Sequence, residues 1–130
     1  MTERKLISSG SIWEEKFGYS RAVKVGNMIF VAGTTATDEN SEVLHKGDAY
    51  SQTVVIIKKI EKALEQAGAS LKDVVRLTMY VTDISQGMEV GRATGEYFKD
   101  IRPANTMVEV SAFVHEDMLV EISADAVISN

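Results

Sequence analysis

Apolar and polar residues alternate over much of this chain, and alternate side chains of a strand point to opposite faces. Over residues 28–35, Met28, Phe30, Ala32 and Thr34 share one face, and Ile29, Val31 and Gly33 share the other. Both faces are largely apolar, which predicts a strand buried on both sides. A strand over residues 20–25 precedes it. The Gly26-Asn27 pair between them tolerates positive φ and suits a tight hairpin. Residues 5–8 form a further short strand, broken by Ser9, Gly10 and Ser11. Residues 13–18 read as a loop or single turn, and residues 37–47 as a polar loop. The period then changes. Val54, Ile57, Ile60, Leu64 and Ala67 recur at steps of three and four, which predicts a helix over residues 49–67. Asp48 is its N-cap and Gly68 its stop. A strand follows over residues 74–81. Asp83 and Gln86 form a weak capping box for a second helix over residues 85–98. Pro103 resets the chain.

The last stretch reads as a hairpin of strands over residues 104–112 and 118–127. Asn105, Met107, Glu109 and Ser111 share one face of the first strand. Glu121, Ser123 and Asp125 share one face of the second. The hairpin therefore presents an apolar side to a core and a polar side carrying Glu109 and Glu121. Such a carboxylate pair is either solvated decoration or the floor of a site. The predicted order is strand, strand, strand, helix, strand, helix, strand, strand. Two helices cover only one face of a six-stranded sheet. The other face would carry Met28, Phe30 and Met107, and a soluble monomer rarely exposes a large apolar patch. Burial of that face against other copies of the chain is therefore expected.

Composition narrows the function classes. The 130 residues fit a single domain over residues 1–130, with 45% hydrophobic and 25% charged residues. There is no cysteine, which excludes disulfides, thiolate catalysis and thiolate metal sites. That fits a reducing compartment, and a cytoplasmic location is expected. The first ten residues lack the apolar core of a secretory signal. No apolar run approaches membrane-spanning length, so no membrane partner is expected. A net charge of −5 disfavours a broad nucleic-acid surface. His45 and His115, the only histidines, stand in no metal-binding spacing, so no metal is expected. Gly87, Gly91 and Gly95 fit no nucleotide fingerprint, and no serine sits in a nucleophile elbow. Two places are less bland. Tyr19, in Gly18-Tyr19-Ser20-Arg21, is either a cleft tyrosine or a packed surface ring. Gly33 marks either a bulge or a close approach to the backbone.

Four segments carry a more specific resemblance: GYSRAVKVGNMIFVAGTTA over residues 18–36, DVVRLTMYVTDI over residues 73–84, then RPANTMVEVSAF and LVEISADAV. In this order, with a long helix after the first, they resemble the RidA/YjgF family. These are the reactive intermediate imine deaminases, also called endoribonuclease L-PSP-like. The resemblance spans residues 5–127. It implies an α+β, chorismate-mutase-like fold: a six-stranded mixed sheet with two helices on one face, and a homotrimer around a central barrel with small-molecule clefts between subunits. It also implies hydrolysis of enamines and imines, such as 2-iminobutanoate, to 2-keto acids and ammonia without metal or cofactor. Residue by residue, Glu121 matches the glutamate that handles the attacking water. Tyr19 matches the cleft tyrosine and Gly33 the third-strand glycine. Gly91 stands where an asparagine often lines the cleft, and Met107 where many members have a cysteine. Asn105, in Pro103-Ala104-Asn105-Thr106, stands where the deaminases carry a carboxylate-gripping arginine. Thr106 would orient the ligand with its backbone, and Glu109 would be a second carboxylate or an interfacial ion pair.

Three functions follow as expectations. The first is an imine or enamine deaminase with altered substrate preference, and the second a non-catalytic trimer binding a small metabolite. The third, ranked last on charge, is an endoribonuclease or translation inhibitor. The residues leave the natural substrate and pathway open.

Overall fold

The computed structural model describes residues 3–129. Its strands are β1 (Arg4–Ile7), β2 (Ala22–Val25), β3 (Met28–Thr34), β4 (Val74–Val81), β5 (Ala104–Glu109) and β6 (Val120–Val127). Its α-helices are α1 (Ile12–Phe17), α2 (Ala49–Gln66) and α3 (Gly87–Phe98). The strands form one mixed sheet in the order β1-β2-β3-β6-β4-β5. Only β4 and β5 pair in parallel, and α3 lies between them in the chain. The architecture is thus α+β with a six-stranded mixed sheet, as the resemblance implied.

Local chemistry sets the helix limits. The Asp48 carboxylate accepts from the Ser51 amide at 3.0 Å and caps α2. At the other end Gly68 adopts φ +84°, and the Ala69 amide donates back to the Leu64 carbonyl at 2.8 Å. That left-handed turn satisfies carbonyls the helix would otherwise leave bare. The region expected as a loop or turn before β2 contains the short helix α1, capped by Ser11 and stopped by Gly18 at φ +74°. A single 3-10 turn (Ile84–Gln86), capped by Asp83, precedes α3.

The core lies between the sheet and α2 with α3. Ile29, Val31, Leu77, Met79, Val81 and Ile122 bury against Ile56, Ile60, Leu64 and Phe98. Burial of the last strand alternates strictly: Val120, Ile122, Ala124 and Ala126 face the core, and Glu121, Ser123 and Asp125 face away. The face away from the helices stays open. Met28 and Phe30 are 44% and 41% exposed. Within one chain β3 is therefore buried on one side only, not on both.

The expected terminal hairpin does not form. β5 and β6 lie on opposite sides of β4. The ten residues between them are long enough for the chain to step over β4. The fully apolar inner face of β6 takes the central slot, and the more polar β5 takes the edge. This separates the two glutamates. Glu109 pairs in register with the buried Val81, on the helix side, whereas Glu121 is opposite Tyr80 on the open face. Met107, expected on the open face, is opposite the buried Met79 and packs towards α3.

Candidate functional site

The site begins with an irregularity in β3. Val31 pairs with Ala124 and Thr34 with Ile122, so β3 holds one extra residue against β6. This bulge reverses the alternation. Thr34, expected beside Phe30, is fully buried on the core side. Gly33, expected beside Val31, turns to the open face and meets Glu121. A Cβ at position 33 would lie 2.6 Å from Glu121 Oε2 and 3.0 Å from its carboxyl carbon. The carboxylate thus occupies space that any side chain at 33 would fill. Both readings of Gly33 hold together: the glycine sits in a bulge, and the bulge permits the close approach.

A cation borders the same glycine. Arg21 Nη2 donates to the Gly33 carbonyl at 2.6 Å. Burial pushes the Glu121 pKa up, and the nearby Arg21 charge partly opposes that shift. The two side chains nevertheless form no ion pair. Beyond Arg21, the Lys59 ammonium donates to the Thr35 carbonyl and to the carbonyl and hydroxyl of Thr37, at 2.7, 3.2 and 2.9 Å. Burial brings its pKa down to about 8, helped by Arg21. Arg21 was not singled out from the sequence, although a signal existed: it stands two residues after Tyr19 at the mouth of β2, where same-face neighbours fall. Lys59 gave no signal, because in a helical pattern it reads as a solvated charge.

Tyr19 lines a cavity of about 610 Å³ on the open face with Glu14, Glu15, Val23, Phe30 and Ala32. Neither Gly33 nor Glu121 lines it. Asn105 and Gly91 do share one hollow, but elsewhere. With Gly95, Phe98, Lys99 and Arg102 they line a hollow of about 390 Å³ between α3 and β5. Met107 lies nearby, its Sδ 3.1 Å from where a Cβ of Gly87 would stand. Glu109 Oε1 accepts from the Ile84 amide at 3.0 Å and so holds the turn before α3. Thr106 pairs with Thr78 on the open face. The candidate residues therefore fall into two groups on opposite sides of the sheet. Gly33, Glu121, Tyr19 and Thr106 belong to the open face. Asn105, Met107, Gly91 and Glu109 belong to the helix side, along the β5 edge. Among the described residues no group of three or more His, Asp or Glu side chains could hold a metal ion.

The Endoribonuclease L-PSP family profile matches residues 14–128. The chain belongs to this family, the RidA/YjgF family. A RutC family protein of Pyrococcus abyssi is 44% identical over 108 residues, covering 83% of this chain and 84% of the relative. The 3-aminoacrylate deaminase RutC of Acinetobacter baylyi is 37% identical over 108 residues, covering 83% and 85%. Among solved structures, a YjgF/YER057c/UK114 family member from Mycobacterium tuberculosis superposes with a TM-score of 0.88 at 47% identity, covering 97% of this chain and all of that one. The E. coli YjgF product does so with a TM-score of 0.82 at 27% identity, covering 95% and 98%. The RidA/YjgF fold is thus shared over essentially the whole described chain. No helix among the described residues is long and apolar enough to cross a membrane.

Proposed function

We propose that this protein is a deaminase-type hydrolase of small imines or enamines, working in clefts between copies of the chain. The observation that carries the reading is the half-buried Glu121 carboxylate, pressed against the bare Cα of Gly33 on an otherwise uncovered sheet face. Burial makes it a stronger base than an exposed glutamate, as water activation requires. In the reaction Glu121 takes a proton from water as the oxygen adds to the C=N carbon. It then returns that proton to the nitrogen. The carbinolamine hydroxyl then gives its proton, through Glu121, to the same nitrogen as the C–N bond breaks, which releases ammonia and a carbonyl product. The similarity to a 3-aminoacrylate deaminase supports this chemistry.

The two groups of candidate residues explain why the cleft would need a second copy. A β5 edge from one subunit brings Asn105, Met107 and Gly91 towards the open face of its neighbour, which supplies Glu121, Gly33 and Tyr19. A closed ring of three satisfies every copy equally. Asn105 offers a neutral amide where the deaminases hold an arginine, so the preferred substrates would differ from theirs. That same asparagine is the one observation favouring the second reading, a trimer that binds a metabolite without turnover. An RNA-cleaving role has weaker support, since the net charge is −5.

Ammonia release from a panel of enzymatically generated imines separates the readings. The expected result is turnover by wild type and loss of at least about a hundredfold in Glu121→Gln, the usual scale of general-base catalysis. Binding without ammonia release from any imine, unchanged in Glu121→Gln, would establish the binder instead.

A further inference from the structure

We propose that Arg21 is the anion-binding residue of this site and holds a carboxylate on, or next to, the carbon that Glu121 hydrates. The proposal rests on the deaminase reading for the reaction, but not for the binding. Three observations point to it. First, Arg21 and Glu121 approach the same glycine, one at its carbonyl and one at its Cα. A ligand over Gly33 would therefore touch both. Second, the guanidinium is only partly used. Of its five N–H donors, one hydrogen bond is seen, to Gly33, and the buried Nε–H has no acceptor among the described residues. Third, no carboxylate of the described chain pairs with it. The ion pairs seen are Lys46–Asp117, Arg76–Asp125, Arg92–Glu89 and His115–Asp117. An arginine that has no ion-pair partner and keeps free donors is a strong site for an anion.

Within one chain, no other cation among the described residues borders Gly33 as Arg21 does. Lys59 uses its ammonium on the Thr35 and Thr37 acceptors. Its task is to tie α2 to the end of β3. Arg102 and Lys99 line the hollow with Asn105. That hollow is on the far side of the sheet from the Glu121 of the same chain. The bulge that turns Gly33 outward also places its carbonyl within reach of Arg21 Nη2, and the guanidinium donors left over suit a planar carboxylate. The ligand class that follows is a small imine or enamine whose carboxylate is held from position 21 rather than from position 105, with the matching oxo acid as product; the changed position of the grip is what would alter the preferred acids.

Calorimetric titration with 2-oxobutanoate and with its uncharged amide, 2-oxobutanamide, tests the assignment on the assembled protein. Wild type should bind the acid more tightly than the amide. Arg21→Gln should weaken the acid roughly tenfold to a hundredfold, the range for a charged hydrogen bond, and leave the amide unchanged. Arg21→Lys should fall between. The Arg21 side-chain nitrogen resonances of wild type should shift with the acid alone, which keeps the test valid even if Arg21→Gln folds poorly. Equal weakening of acid and amide, an unchanged affinity in a folded Arg21→Gln, or no wild-type binding of the acid would each overturn the proposal. The reaction is judged separately. Acid binding through Arg21 with no imine turnover would retain the anion site and remove the deaminase reading. Turnover with KM unchanged in Arg21→Gln would do the reverse.

Discussion

Burial of Glu121 has a cost that ties its chemistry to stability. Its folded pKa is raised, so the folded chain holds this proton more tightly than the unfolded chain does. Stability from this group is therefore greatest at low pH and falls as pH rises from the unfolded value through the raised folded one. At pH 7 the charge is fully ionised in the unfolded chain and is penalised in the folded one. Glu121→Gln should accordingly melt higher than wild type at pH 7. The gap should close as pH falls and vanish below about pH 4, the ordinary glutamate range. Paired thermal melts across pH would show it, and a variant less stable than wild type at pH 7 would mean that the carboxylate is held by favourable contacts instead. Gly33→Ala tests the neighbouring contact. The new methyl must displace the carboxylate, so a loss of about 1–3 kcal/mol by overpacking is expected, together with at least a tenfold fall in turnover. Gly33 and Glu121 were both legible in the sequence, but their meeting was not. It depends on one extra residue in β3, and strict alternation assigned Gly33 to the wrong face.

Elements were legible where they were long or sharply capped. α2 announces itself by five apolar residues at helical spacing between Asp48 and Gly68, and β6 by unbroken alternation. α1 was legible only as a turn, because six residues are too few to show a period. Its signals are its caps. Partnering of β5 and β6 was illegible for a different reason: sequential strands often pair, and nothing local to either strand says that β4 will come between them. The Gly68 stop offers an independent check on α2. With φ at +84°, an alanine there takes a left-handed conformation that costs roughly 1–2 kcal/mol. Gly68→Ala should lower the unfolding free energy by that amount, read as a lower urea midpoint at an unchanged slope. Gly68 lines neither the cavity beside Tyr19 nor the hollow beside Asn105, so turnover per folded molecule should not move. A change in slope would mean that the helix end had been remodelled.

At the scale of the whole molecule, one side of the sheet is finished and the other is not. Leu6, Val25, Met28, Phe30 and Val108 remain exposed, and Glu121 lies among such residues on the uncovered face. Asn105 and Met107 lie round the β5 edge on the other side. In a single chain these groups cannot enclose one ligand. In the proposed closed ring they would meet at every interface, which makes a complementation experiment decisive. Glu121→Gln should be inactive through loss of its base. Asn105→Trp should be inactive through filling of the hollow beside Gly91. Each should sediment as a trimer. Co-refolded in equal amounts, they should regain activity, because some interfaces then join an intact Glu121 to an intact Asn105. For random mixing in a ring of identical positions, about a quarter of the clefts are restored. Sedimentation of wild type as a monomer at micromolar concentration would remove the composite cleft outright. A trimer whose two inactive variants fail to complement would mean that each working cleft needs Glu121 and Asn105 intact in the same subunit, which would overturn the composite cleft.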